Sequence, residues 1–143
     1  MKSLIILLVA CVVIGFCEPM SKEERIANFM KIASECAVTE GATDDEMAEI
    51  FQRKTPSTRA GKCVHACLGE RIGVMKMNQV DVESTVAVAD MAFDGDSRKV
   101  QMARELANDC AGITDSDRCD AAVKIFECGH NAIKTRGITF EDV

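Results

Sequence analysis

From residue 21 to residue 135 the apolar positions recur every three or four residues, the period of a helix with one face in a core. Period-two alternation, the mark of a half-buried strand, is weak throughout. Ser21-Lys22-Glu23-Glu24 opens the first predicted helix as a capping box. The serine oxygen takes an orphan N–H of the first turn, and the glutamate reaches back to the serine N–H. Ile26, Phe29, Met30, Ala33, Cys36 and Ala37 then form one stripe; Glu24, Asn28, Lys31 and Glu35 form the opposite one. Gly41 marks the end. Thr43-Asp44-Asp45-Glu46 is a second capping box, opening a short helix with Met47, Ile50 and Phe51 facing in. Lys54-Thr55-Pro56-Ser57 closes it, because the residue before a proline is pushed out of helical geometry.

Three longer segments and one weaker one complete the pattern. The third helix runs from about Ser57 to Ile72 and stops at Gly73. The fourth, capped by Asp81, extends to about Met91, against the low helix propensity of Val82, Val86 and Val88. After the turn Asp94-Gly95-Asp96, a fifth spans Ser97 to Cys110, with Val100, Ala103, Leu106, Ala107 and Cys110 on one side. The sixth spans about Ser116 to Thr135. Its polar stripe (Asp120, Lys124, Glu127, Asn131, Lys134) is narrow and flanked by apolar stripes on both sides. A helix apolar over so wide an arc is packed on two sides, so it is expected to cross the middle of an all-α bundle of six helices.

The N-terminus sets the compartment. Lys2 precedes an apolar run from Leu4 to Ile14, then Gly15-Phe16-Cys17, then charge at Glu18. The run is too short to span a bilayer comfortably and has the layout of a cleavable secretory signal. Leu8-Val9-Ala10-Cys11 would fit a bacterial lipoprotein signal, but the apolar stretch continues to Phe16 and argues against an anchor there. The expected organisation is a signal peptide over 1–17 and one secreted domain over 18–143. No second stretch is long enough to cross a membrane, so no membrane insertion is expected after cleavage. Cleavage removes one positive charge, Lys2, from a chain of net charge −6. An acidic chain without basic clusters argues against nucleic acid as a partner.

Of eight cysteines, Cys11 and Cys17 fall in the leader and six remain: Cys36, Cys63, Cys67, Cys110, Cys119 and Cys128. An even count in a small secreted chain reads as a disulfide framework. Cys119 and Cys128 lie on opposite sides of the sixth helix, nine steps apart at about 100° each, and cannot bond to each other. Cys63 and Cys67 lie on one face with similar Cβ directions, which suits bonds to other elements better than a bond between them. A crosslinked set joining the first, third, fifth and sixth helices follows; its pairing is left open by this geometry. Zinc is disfavoured, since His65 diverges from the Cys63/Cys67 pair and no second ligand pair completes a tetrahedron. A redox role is disfavoured too, for want of Cys-x-x-Cys opening a helix. No activated nucleophile, metal set or phosphate loop stands out. Asp44, Asp45 and Glu46 are explained by the helix dipole, so neither an enzyme nor a cofactor is expected.

The intervals between successive cysteines, 26, 3, 42, 8 and 8 residues, resemble the six-cysteine signature of the insect odorant-binding proteins, the pheromone/general odorant-binding family. The resemblance covers the whole mature chain, and Gly41-Ala42-Thr43-Asp44 and Ala60-Gly61-Lys62-Cys63 share in it. It implies six helices around an apolar cavity and the interlocked bridges Cys36–Cys67, Cys63–Cys119 and Cys110–Cys128. It also implies an extracellular carrier of small hydrophobic volatiles, odorants or pheromone-like molecules, through an aqueous lymph. An olfactory receptor and a second copy of the chain are the partners it admits. Two other roles fit the same fold: sequestration of a partner molecule in another secretion, and general lipid or hormone transport.

Composition supports adaptable apolar contacts. The chain has eight Met and six Phe but neither Trp nor Tyr. The expected cavity wall is Phe29, Met30, Leu68, Ile72, Val86, Met91, Leu106, Phe126 and Ile133, with about half of them touching ligand and Thr85 as a polar contact. Past Gly137, Phe140 and Val143 are placed either over the cavity mouth or on a frayed end. His65 and His130 are the two residues expected to titrate near neutral pH.

Overall fold

Six α-helices and one short hairpin build the described part of the chain, residues 20–138 of a computed structural model. The elements are α1 (Lys22–Glu40), α2 (Asp44–Phe51), α3 (Arg59–Ile72), β1 (Met75–Lys76), β2 (Gln79–Val80), α4 (Val82–Ala92), α5 (Ser97–Cys110) and α6 (Arg118–Thr135). The expected leader, Phe140 and Val143 lie outside the described residues.

Both capping boxes form. Glu24 N–H donates to Ser21 Oγ at 3.2 Å and Ser21 N–H to Glu24 Oε2 at 2.8 Å. Thr43 and Glu46 exchange the same bonds at 2.7 and 3.3 Å. Glu46 also accepts from the Thr58 hydroxyl, and Thr58 Oγ1 accepts the Gly61 N–H at 3.0 Å. One carboxylate thus closes the start of α2 and positions the cap of α3. That is why α3 begins at Arg59, two residues later than the proline signal suggested. α6 likewise begins at Arg118 rather than Ser116, because Asp117 is its cap, accepting from Cys119 and Asp120 N–H at 2.9 and 3.0 Å. The Arg59 guanidinium grips Asp117 through two bonds of 2.8 and 2.6 Å and holds its carboxyl far below the usual carboxylate range.

The hairpin was not expected from the pattern. It pairs Met75 with Val80 and Lys76 with Gln79 around Met77 and Asn78, both at positive φ (49° and 61°). Such backbone is uncommon for a methionine and needs support. Asn78 supplies it by donating its amide to the carbonyls of Asp115 and Ser116 at 3.1 and 3.3 Å, across to the loop before α6. Gly69 lets the hairpin seat on α3: a Cβ there would lie 3.0 Å from Met75 Cβ.

α3 packs against α1 and α6, α5 against α4 and α6, and the hairpin against α3 and α6. α6 is therefore flanked on both sides, as its two apolar stripes require. The bridges are Cys36–Cys67, Cys63–Cys119 and Cys110–Cys128, spanning 31, 56 and 18 residues. They staple α1 to α3, α3 to α6 and α5 to α6, and each loop overlaps the next. α4 carries no cysteine. The core has two clusters beside these bridges: Cys63, Ala66, Met75, Cys119, Ala121 and Ala122 in one, and Ala33, Cys36, Val64, Cys67 and Leu68 in the other. The largest fully buried side chains among the described residues are only Val64, Cys36 and Cys119. Small residues and sulfur thus make up most of the sealed interior, joined by Leu68 and Met75, while most of the larger apolar side chains stand around it, half-buried or exposed.

α1 departs from its expected stripe. Ala33 and Cys36 are buried, but Ile26, Phe29 and Met30 are 54%, 40% and 46% exposed. The disulfide and the α3 contact hold the C-terminal half of the helix; its N-terminal half presents an apolar face without a dense neighbour among the described residues. α6 shows a similar gradient. Cys119 and Ala121–Val123 are buried, and burial relaxes to half-buried at Phe126 and Ile133.

Candidate functional site

The uncovered half of α1 forms one wall of a pocket of about 510 Å³, open on one side. Ile26, Phe29 and Ile32 come from α1, Ile72 from the last residue of α3, and Val88 and Met91 from the second half of α4. The size is ordinary for a small-ligand site, which runs from roughly 300 to 1,000 Å³. Local sequence explains the convergence. Ile26 and Phe29 are three apart on α1, as are Val88 and Met91 on α4, so each pair shares a helix face. Gly73 then ends α3 at φ 88°, leaving Ile72 at the rim. The polar lining is Lys22, Arg25, Asn28 and Arg71.

Of the expected wall, the structure brings Phe29, Ile72 and Met91 together here. Met30 sits beside Phe29 in sequence but outside the pocket, on the solvent side of α1. Leu68 is core: it packs with Ala33, Cys36, Val64 and Cys67 beneath the first bridge. Val86, Leu106, Phe126 and Ile133 are half-buried on α4, α5 and α6 and do not line this pocket. The Thr85 hydroxyl donates to the Asp81 carbonyl at 2.8 Å, so it serves its own helix. Met20, Ile26, Ile32, Val88 and Ala92 also line the pocket and were missed. For Ile26 a signal existed, since it belongs to the same stripe as Phe29.

His65 sits under Phe126, its ring edge-on at 4.9 Å between centroids. Its Nδ1–H donates to the Gly61 carbonyl at 3.1 Å. Burial lowers its pKa below the usual 6.5, outweighing that hydrogen bond. The unfolded chain therefore takes up this proton first on acidification. Stability is expected to fall as pH drops through about 6.5, and to level off once folded His65 is protonated too. His65→Phe keeps the edge contact and removes the titration. Urea midpoints of the oxidised protein between about pH 8 and 5 should lose that slope in the variant. An unchanged slope would assign it to another group.

A disulfide-stapled helical domain with an apolar pocket between its helices defines the class of small helical carriers of hydrophobic ligands. Comparison with known proteins agrees. The PBP/GOBP family model matches residues 18–132, and the chain belongs to that family, the pheromone-binding and general odorant-binding proteins. It is 33% identical over 142 residues to general odorant-binding protein 28a of Drosophila melanogaster, covering 96% of this chain and 99% of that protein. The solved structure of odorant-binding protein dmelOBP28a from the same fly superimposes with a TM-score of 0.71 at 31% identity, over 83% of this chain and all of that one. The fatty acid binding protein OBP56a from the oral disk of the blowfly Phormia regina follows at a TM-score of 0.65 and 25% identity, over 82% and 99%. The chain is thus a carrier of small hydrophobic ligands in the odorant-binding family.

Proposed function

We propose that this carrier is secreted after loss of residues 1–17 and takes small odorant-like molecules through an aqueous extracellular fluid, holding them between α1, α3 and α4. Its work is binding rather than catalysis. The observation that carries the reading is the pocket itself: apolar side chains of three helices face unfilled space, beside a sealed core made mostly of small residues and bridges. The crosslinks stand in for a larger apolar core and so permit a cavity. The family match beginning at residue 18 supports the leader. No helix among the described residues is long and apolar enough to cross a membrane. A second reading, lipid transport outside olfaction, draws on the similarity to a fatty acid binding protein of a blowfly oral disk.

A hydrophobic fluorescent naphthylamine probe is expected to bind the oxidised protein with a micromolar Kd, about −8 kcal/mol, and to be displaced by medium-length volatiles. A folded, fully bridged protein that leaves the probe dark would overturn the carrier reading. Displacement across chemical classes distinguishes volatiles from lipids as preferred cargo.

A further inference from the structure

We infer that the pocket prefers amphipathic ligands with an anionic head, above all a fatty carboxylate, and that Arg25 is the specificity-determining residue that meets the head. The inference rests on the carrier reading and narrows it. The chain is acidic, with a net charge of −6, yet among the described residues the pocket lining contains Lys22, Arg25 and Arg71 and no carboxylate. A site for neutral hydrocarbon gains nothing from three cations, since charge beside apolar walls is unfavourable unless it is paired.

Arg25 is the best placed of the three. Its side chain is only 20% exposed and lies against the apolar wall. One Nη donates to the Met20 carbonyl at 2.8 Å, which fixes the guanidinium. The other meets Asp94 at 3.0 Å. Asp94 belongs to the turn between α4 and α5, is 75% exposed, and does not line the pocket. The cation therefore belongs to the pocket, and its present counter-ion belongs to solvent. Arg71 is held differently, by Glu35 of α1 at 2.5 Å, a carboxylate that also faces Lys31 at 4.0 Å. Lys22, at the first residue of α1, has no carboxylate within ion-pair distance among the described residues and adds positive potential at the same end.

A fatty carboxylate would lay its tail on Ile26, Phe29, Ile72 and Met91 and bring its head to Arg25. There it exchanges with Asp94, one carboxylate for another, so Arg25 is not left unpaired at any stage. An alcohol of equal length meets the same apolar wall but leaves Arg25 with Asp94. Head-group preference then follows from one charge-assisted contact, which is worth about tenfold in affinity where water is partly excluded.

The test uses the full oxidised protein at about pH 8, where a fatty acid is ionised. Dodecanoate and dodecanol are titrated against the bound probe. Dodecanoate is expected to bind about tenfold more tightly than dodecanol. Arg25→Met should remove the difference, so that dodecanoate and dodecanol bind with equal affinity. Asp94→Asn should do the reverse: it frees Arg25 and tightens dodecanoate severalfold, without effect on dodecanol. Asparagine tolerates the left-handed backbone at this position, φ 51°, so the second variant keeps the turn. Equal affinities for acid and alcohol in the unmodified protein, or an Arg25→Met variant that weakens both alike, would overturn the inference and leave the carrier reading standing. Failure of both compounds to displace the probe would overturn the two together.

Discussion

Replacing Cys63 and Cys119 together by alanine is expected to lower stability by about 4 kcal/mol, the largest loss of any bridge. This bridge closes the longest loop, 56 residues, and so restricts the unfolded chain most. It also joins the two central helices, α3 and α6, inside the cluster formed with Ala66, Met75, Ala121 and Ala122. Apart from Val64, Leu68 and Met75 the two clusters consist of alanine and cysteine, so little apolar burial stands in reserve. An ordinary domain has only about 5–15 kcal/mol in total. Alanine fills most of the cysteine volume, so the effect reports the crosslink rather than a cavity. The paired replacement of Cys110 and Cys128, whose loop is 18 residues, is expected to cost about 3 kcal/mol. Urea unfolding of the two oxidised variants ranks them; a larger loss for the shorter loop would show that packing around the sulfurs dominates over chain restriction.

The second large effect concerns binding. Val88→Trp is expected to weaken the fluorescent probe by more than about tenfold while leaving the unfolding midpoint close to that of the parent. Val88 is half-buried on α4 and lines the pocket with Phe29 and Ile32 of α1. An indole there occupies the space a ligand would take. Overpacking a sealed core usually costs about 1–3 kcal/mol because neighbours are forced off their rotamers, but here the added atoms enter open volume. Titration of probe fluorescence, with thermal unfolding as the control, reads both quantities. Probe binding equal to the parent would move the binding site away from α4.

Most of the helices could be read in the residues because their signals are local. Ser21 with Glu24 and Thr43 with Glu46 need only four residues to declare a helix start, and both boxes form. The hairpin could not be read. It holds two residue pairs, too few for alternation to register, and its positive-φ turn depends on Asn78 reaching residues 115 and 116. The pocket was legible only in part, for a similar reason. Leu68 and Ile72 lie one turn apart on the same face of α3, and periodicity treats them alike. What separates them is distance from the Cys36–Cys67 bridge: Leu68 is sealed beneath it, while Ile72 stands at the open rim. Arg25 and Arg71 escaped notice because a basic rim exists only once the ends of α1, α3 and α4 have met.

α4 carries no cysteine, and the N-terminal half of α1 lies ahead of Cys36. With cargo held in the proposed pocket, the frame that decides whether the chain folds and the surfaces that decide what it holds are largely different residues. Exchanges at positions such as Ile26, Val88 or Met91 meet solvent or cargo rather than the crosslinked interior. A lineage built on this plan can try new cargoes by substitution on those two helices while the stapled α3–α6 centre stays as it is. Duplicated copies of such a gene could drift apart in chemical taste long before any of them lost the ability to fold.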